Sequence, residues 1–163
     1  MIIFIRGLPR SGKTTISNTL AEKLKWKVIH VDDFKKELMD QNPKAFFIQE
    51  VVPYSYKKTL EELEKNKGSD LIVDELFRNK DFVQEALNFC NKNNISYRWF
   101  NIERDMDKLV EANENRLGKV KPTPEILKRM KEEIDGATIE GEVKIYNGNI
   151  KECVQEIFDL LKI

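Results

Sequence analysis

Residues 7–14 read Gly-Leu-Pro-Arg-Ser-Gly-Lys-Thr and match the phosphate-binding pattern GxxxxGK followed by Ser or Thr at every fixed position. An apolar run at residues 2–5 precedes the match, and a helical pattern at residues 16–26 follows it. Such a loop lies between a strand and a helix, because backbone N–H groups and the helix N-terminus must converge on phosphate oxygens. The chain is therefore predicted to fold around a strand, a phosphate-binding loop and a helix.

The residues of this loop differ in what they can offer a nucleotide. Gly7 and Gly12 leave room for the backbone to approach phosphates, Lys13 can reach the β and γ oxygens, and the Thr14 hydroxyl suits magnesium. Arg10 stands where loops of this type often have glycine, so either the backbone geometry tolerates arginine or its charge lies near the phosphates. ATP and Mg²⁺ are the expected ligands, and the expected contacts are Gly7, Pro9, Arg10, Ser11, Gly12, Lys13, Thr14 and Thr15.

Four more short apolar runs alternate with helical patterns along the chain, at residues 27–31, 70–74, 96–102 and 142–146. Continuous apolar runs between helices are typical of parallel strands that are covered on both faces. A length of 163 residues is ordinary for one domain. We expect a single α/β domain over residues 1–163, a P-loop NTPase three-layer sandwich with a five-stranded, mainly parallel sheet.

Two insertions interrupt the regular spacing of strands and helices. Residues 34–67 are long enough for about two helices, and this region is expected to cover an acceptor site. Residues 116–124 form a basic segment interrupted by prolines, which we expect to act as a lid over the phosphates.

Two adjacent acids follow the second predicted strand. The carboxyl ends of parallel strands face one crevice, so Asp32 and Asp33 are expected near the phosphate loop. Asp32 is our candidate for the base that takes the proton of an attacking hydroxyl, and Asp33 is the alternative base and an expected substrate contact. Either acid can instead cap the helix that begins near Phe34.

The third predicted strand also ends in acids. Asp74 follows an apolar run, as in a Walker B segment, and is expected to hold the magnesium shell through water. Glu75 comes directly after it, and an acid at that place is common in P-loop enzymes that hydrolyse ATP. Glu75 is therefore read as a water-activating group, an acceptor-site carboxylate or a surface carboxylate.

Arginine is best suited to neutralise the negative charge on a transferring phosphoryl group, because its planar guanidinium matches the geometry of phosphate oxygens. Arg116 is the leading candidate, because it ends a helical pattern and opens the predicted lid. Lys119 and Lys121 follow closely, although a run of like charges is usually a solvated face. The basic residues that position constrains less are Arg78, Arg104 and Arg129.

Charge and hydropathy limit the classes of partner. The 28 Lys and Arg residues balance 28 Asp and Glu residues, which weighs weakly against a non-specific nucleic-acid binder. The apolar run before Arg6 is too short for a signal sequence or a membrane span. We expect a cytoplasmic protein without membrane contact, and the oligomeric state stays open.

Four segments together resemble the kinase domain of phage-type 5′-hydroxyl polynucleotide kinases and related small P-loop kinases, including zeta-toxin-like and antibiotic-kinase-like enzymes. The resemblance covers residues 2–130 and rests on GLPRSGKTT, VDDF, LIVDELFRN and ANENRLGKVKPTPEILKRM. It departs from that family at Arg10, at Lys35, where the family has arginine, and at Glu75, where the family has a small residue.

This resemblance implies roles for individual residues of the chain. It implies that Asp32 is the base, that Lys35 and Asp74 lie near the acceptor, and that Arg116 stabilises the transition state from the lid. It also implies that Lys13 and Thr14 contact the phosphates and the metal.

The function expected from the sequence is an ATP-dependent transfer of the γ-phosphate to a hydroxyl. The 5′-hydroxyl of a polynucleotide is the first acceptor hypothesis, and a small molecule such as a nucleotide, sugar or antibiotic is the second. A P-loop ATPase or nucleotide switch is the alternative from another class, and it rests on Glu75.

Overall fold

The central sheet in the computed structural model, which describes residues 1–115 and 121–162, has five strands that all run parallel. The strands are β1 (Ile2–Arg6), β2 (Lys27–His30), β3 (Leu71–Asp74), β4 (Tyr97–Glu103) and β5 (Val143–Tyr146). Their order across the sheet is β2-β3-β1-β4-β5. The predicted α/β class is confirmed, and the sheet within these residues is entirely parallel.

Burial on both faces explains why the strands are continuously apolar. Alternate side chains of a strand point to opposite faces, so Ile2 and Phe4 enter one core while Ile3 and Ile5 enter the other. Every residue of the central strand β1 is buried. Helices cover both faces, and the result is a three-layer sandwich.

Seven α-helices lie within the described residues. They are α1 (Lys13–Leu24), α2 (Val31–Gln41), α3 (Val52–Lys65), α4 (Lys80–Lys92), α5 (Met106–Glu114), α6 (Pro124–Gly136) and α7 (Ile150–Leu161). Side-chain caps begin three of them, because Asn79 accepts a hydrogen bond from Phe82 N, Thr123 accepts one from Ile126 N and Asn149 accepts one from Lys151 N. None of the helices described is long and apolar enough to cross a membrane.

Two predicted boundaries need correction. Strand β2 ends at His30 and α2 begins at Val31, so Asp32 and Asp33 lie in the first turn of a helix instead of before it. The predicted insertion at 34–67 therefore consists of most of α2, a π-helical turn at Phe47–Val51, and α3. Residues 116–120 of the predicted lid lie outside the described residues, and residues 121–123 lead directly into α6.

A buried arginine ends the central strand. The Arg6 guanidinium donates hydrogen bonds to the carbonyls of Phe77, at 3.4 Å, and Ala137, at 3.0 Å. It also pairs with the Glu142 carboxylate, with Nη2 2.9 Å from Oε2. Arg6 is 2% exposed, so these partners replace the water that a charged group requires. The bonds tie the end of β1 to the segment after β3, the end of α6 and the start of β5.

Candidate active site

The phosphate-binding loop lies between the central strand β1 and helix α1. Gly12 directly precedes α1, and no described side chain caps the first turn of that helix. The first N–H groups of a helix lack partners inside the helix, and its dipole favours an anion there. The N-terminus of α1 is therefore suited to phosphate.

Close packing explains the two glycines of the loop. A Cβ atom on Gly7, whose φ is 152°, would lie 2.6 Å from Ile102 O. A Cβ atom on Gly12, whose φ is 96°, would lie 2.3 Å from Asn147 Nδ2. Asn147 was not predicted from the sequence, yet its side-chain amide donates a 2.6 Å hydrogen bond to Ser11 O. The segment after β5 thus holds the loop in shape.

Arg10 adopts a left-handed backbone conformation, with φ at 68°. This conformation costs a non-glycine residue roughly 1–2 kcal/mol, which explains why glycine is frequent at this place. The Arg10 carbonyl accepts a 3.2 Å hydrogen bond from Arg104. The backbone therefore tolerates arginine at this position, and Arg10 also lines the cavity over the loop, so both interpretations of Arg10 have a structural basis.

A cavity of about 270 Å³ opens over the loop. Its lining consists of Arg10, Gly12, Lys13, Thr14, Thr15, Arg104 and Ala112. Pro9 and Ser11 do not line it, and Ser11 is fully buried. The cavity is cationic, because three of its lining side chains carry positive charge.

Replacing Gly12 with alanine is expected to destabilise the fold by about 2–3 kcal/mol. The alanine would keep an unfavourable φ, and its Cβ would push Asn147 off Ser11 O, which removes a buried hydrogen bond. Thermal unfolding would show a Tm lower by roughly 4–12 °C. Gly68→Ala is the matched control, because the added Cβ meets no atom within 4 Å. A Gly12→Ala variant as stable as the control would contradict the close packing at this position.

A carboxylate and a hydroxyl meet where magnesium is expected. Thr14 Oγ1 donates a 2.7 Å hydrogen bond to Asp74 Oδ2 at the end of β3. Asp74 is 5% exposed, and its Oδ1 atom has no hydrogen-bond partner within the described residues. A buried carboxylate oxygen without a partner is costly unless something binds it. Hard oxygen ligands and water are what Mg²⁺ prefers, so Thr14 and Asp74 fit this ion.

His30 joins this cluster and was missed in the sequence. Its Nδ1 lies 2.9 Å from Asp74 Oδ2, and its Nε2 lies 2.9 Å from Asn18 Oδ1. The hydrogen bond to Asp74 raises the pKa of His30 against the opposing effect of burial. His30 is the partner of Asp74 in the β2–β3 register. The sequence contained one signal for this contact, because His30 and Asp74 are polar residues that each lie at or next to the end of a predicted strand.

Asp32, Lys35 and Glu75 form a second charged cluster, just beyond the carboxyl ends of β2 and β3. Lys35 Nζ donates to Asp32 Oδ1 at 2.8 Å and to both Glu75 oxygens at 2.9 Å and 3.0 Å. The Asp32 side chain is 79% exposed, whereas Glu75 is buried. Burial would lower the pKa of Lys35, but the carboxylates of Glu75 and Asp32 outweigh it and raise that pKa. Burial raises the pKa of Glu75.

The remaining predicted residues fall into two groups. Asp33 lies beside Asp32 in the first turn of α2, and its charge acts on His30. Arg116 and Lys119 lie outside the described residues, so the predicted role of Arg116 stays a prediction. Lys121 donates a hydrogen bond to the Glu114 carbonyl.

A groove of about 1060 Å³ lies among α3, the start of α4 and α6. Tyr56 lines it and stacks on Phe82 with ring centroids 3.9 Å apart. Burial raises the pKa of the Tyr56 phenol to about 12, and the charges of Glu75 and Lys35 also act on it. Tyr56 is therefore a lining residue of the groove on which the charges of the second cluster act. We call this space the acceptor groove, because the region 34–67 that forms much of its lining is the one expected from the sequence to cover an acceptor site.

The family model described as an AAA domain (AAA_33) matches residues 2–136. A protein of Methanosarcina acetivorans described as "Putative adenylate kinase" is 27% identical over 79 residues. That match covers 45% of this chain and only 42% of the length of the relative.

Solved structures with the same fold cover the chain almost completely. A gluconokinase from Sinorhizobium meliloti matches with a TM-score of 0.73 at 16% identity, over 98% of this chain and 90% of that one. An APS kinase, CysC, from Mycobacterium tuberculosis matches with a TM-score of 0.68 at 14% identity, over 99% of this chain and 97% of that one. At these identities the similarity shows the fold alone.

Proposed function

The chain belongs to the AAA domain family, and we propose that within this family it is an ATP-dependent kinase whose acceptor is the hydroxyl of a small molecule. The observation that carries the proposal is the Asp32 carboxylate, exposed at the same edge of the sheet as the phosphate-binding loop and hydrogen-bonded to Lys35. A carboxylate at this place can take a proton from a hydroxyl that attacks the γ-phosphorus.

The proposed reaction is an in-line displacement. The acceptor oxygen forms a bond to the γ-phosphorus and loses its proton to Asp32, while the bond from the γ-phosphorus to the β,γ-bridging oxygen breaks and ADP leaves. Lys13 and the first N–H groups of α1 bind the phosphate oxygens, on which negative charge builds. Thr14 and Asp74 would hold the magnesium ion, which neutralises phosphate charge. Arg116 lies outside the described residues, and we predict that it stabilises the negative charge on the transferring phosphoryl group.

A small-molecule acceptor fits the acceptor groove better than a polynucleotide does. Its volume of about 1060 Å³ is close to the upper end of what small-ligand pockets have, roughly 300–1,000 Å³. A polynucleotide site would be expected to follow a backbone with a strip of basic side chains. Arg78 and Arg129 line the groove, but both pair with Glu133, at 2.8 Å and 3.5 Å.

The environment of Glu75 does not favour the ATPase alternative. A general base must be accessible to the water that it activates. Both Glu75 oxygens are bound to Lys35, and the side chain is 3% exposed. Burial also raises its pKa, which increases the fraction of the protonated form that cannot accept a proton.

The proposal is tested by measuring ADP release with and without an acceptor. A panel of nucleosides, sugars, amino-sugars, nucleotides and 5′-hydroxyl oligonucleotides is incubated with labelled ATP and magnesium. A kinase should release ADP in proportion to label recovered in an acceptor. Equal ADP release with and without every acceptor would instead identify an ATPase.

Lys13→Met is expected to lower the kcat/KM of transfer by about 10²–10³-fold, because it removes a fixed positive charge from the transferring phosphate. Activity is measured with the best acceptor of the panel. Lys92→Met serves as the control, since Lys92 is exposed at the end of α4. Transfer by Lys13→Met at the rate of the control would rule out the proposed phosphate site.

A further inference from the structure

Lys35 is fully engaged by carboxylates, and one of them belongs to Asp32, the base proposed for the acceptor hydroxyl. An ammonium group has three N–H donors. Three carboxylate oxygens surround Lys35 Nζ at 2.8, 2.9 and 3.0 Å, one from Asp32 and two from Glu75. The Lys35 side chain is only 15% exposed. An incoming phosphate would have to displace one of these carboxylates before Lys35 could bind it.

Glu75 is the member of this cluster that the proposed chemistry does not use. It is buried at the end of β3, directly after the residue proposed to hold magnesium, and its carboxylate accepts all of its described side-chain hydrogen bonds from Lys35. With Asp32 and Glu75 ionised the cluster carries one net negative charge, and with Glu75 protonated it carries none. In neither state does it attract an anion.

The acceptor groove has the same electrostatic character. Among the described residues that line it, five are acidic and four are basic. The acidic residues are Glu61, Glu64, Asp81, Glu85 and Glu133, and the basic ones are Lys57, Arg78, Lys80 and Arg129. One wall is apolar and aromatic, with Tyr56, Phe82 and Leu60. Such a wall suits the flat or apolar face of a neutral molecule.

Resting on the kinase function proposed above, we infer that the acceptor is an uncharged or cationic hydroxyl compound and that Glu75 determines this specificity by occupying Lys35. Free Lys35 would bind the phosphate of an anionic acceptor. With Glu75 in place, phosphorylated acceptors and nucleic-acid ends are disfavoured, because their negative charge meets a cluster without spare positive charge.

The test compares acceptors of three charge classes at constant ionic strength. Uncharged acceptors are cytidine, adenosine and glucose, the cationic acceptor is kanamycin, and the anionic acceptors are cytidine 3′-monophosphate, gluconate and a 5′-hydroxyl oligonucleotide. Labelled phosphate in each compound gives kcat/KM. The wild-type protein is expected to label an uncharged or cationic compound at least about tenfold better than any anionic one.

Glu75→Gln supplies the second measurement. The glutamine keeps the size of the side chain and one oxygen for Lys35 but removes a negative charge. The ratio of kcat/KM for anionic over uncharged acceptors is expected to rise on the order of tenfold. Glu22→Gln, an exposed change near the end of α1, is the charge-matched control and should leave that ratio unchanged.

The outcomes separate the inference from the function on which it rests. Preferential labelling of an anionic compound by the wild-type protein would overturn the inference and leave the kinase function standing. Labelling of no compound, with ADP release that no acceptor changes, would overturn the kinase function itself. If Glu75→Gln does not fold, the wild-type comparison still decides, and an unchanged ratio in a folded Glu75→Gln variant counts against Glu75 as the determinant.

Discussion

Asp32→Asn is expected to lower kcat for phosphoryl transfer by about 10²–10⁴-fold, the range that a positioned general base contributes. The amide keeps an oxygen for the hydrogen bond that Lys35 Nζ donates at 2.8 Å, so the geometry of the cluster is retained while the ability to take a proton is lost. Single-turnover transfer from labelled ATP to the best acceptor measures the loss.

The affinity for ATP distinguishes this base from a structural residue. Asp32 lies in α2 and does not line the cavity over the phosphate loop, so Asp32→Asn should bind ATP within about twofold of the wild-type protein. Asp33→Asn is the matched control in the same helical turn. If Asp33→Asn loses transfer and Asp32→Asn retains it, the neighbouring acid is the base.

Glu142→Ala is expected to have the largest effect on stability, at about 3–5 kcal/mol. It leaves the Arg6 guanidinium, which is 2% exposed, without its charged partner in the interior. Such a cost is a large part of the roughly 5–15 kcal/mol by which domains are stable. Thermal unfolding should show a Tm lower by roughly 6–20 °C.

An exposed neighbour supplies the control for this stability prediction. Glu140→Ala removes the same charge two residues away, where the side chain is exposed, and should stay within about 0.5 kcal/mol of the wild-type protein. Replacing both Arg6 and Glu142 with methionine should recover part of the loss, because no buried charge then remains unpaired. A double variant no more stable than Glu142→Ala would indicate that the bonds from Arg6 to Phe77 O and Ala137 O matter more than the ion pair.

The sheet could be predicted because its strands carry a local signal. Each strand is a short apolar run between helical patterns, and burial on both faces makes such runs continuous. The start of α2 was placed too late, because no glycine, proline or capping residue separates β2 from this helix. The π-helical turn at Phe47–Val51 has no local signature in the sequence, since it is defined by backbone hydrogen bonds from Val51 N to Phe46 O and from Val52 N to Phe47 O.

In the candidate site, too, features encoded in consecutive residues could be predicted, whereas contacts between distant residues could not. The phosphate loop was predicted because its chemistry is contained in eight consecutive residues. The bond between Lys35 and Glu75 joins residues 40 positions apart, and it exists only because α2 packs beside the end of β3. Glu75 was given three possible roles in isolation, and burial under Lys35 excludes the surface one. Asn147 was missed for a similar reason, because it follows β5 and reaches a loop that is 136 positions away.

The strand order has a consequence for how the chain folds during translation. β1 is translated well before either neighbour, since it pairs with β3 at residues 71–74 and with β4 at residues 97–101. Contacts between residues that are so distant in the sequence form slowly. Until they form, the apolar strand β1 lacks the two neighbouring strands that pair with it. The hydrogen bond from Asn147 to Ser11 O forms later still. A nascent chain that ends before residue 147 therefore lacks the hydrogen bond that holds the phosphate loop in shape, and a nucleotide bound as proposed would stabilise the fold by mass action only once translation has passed that point.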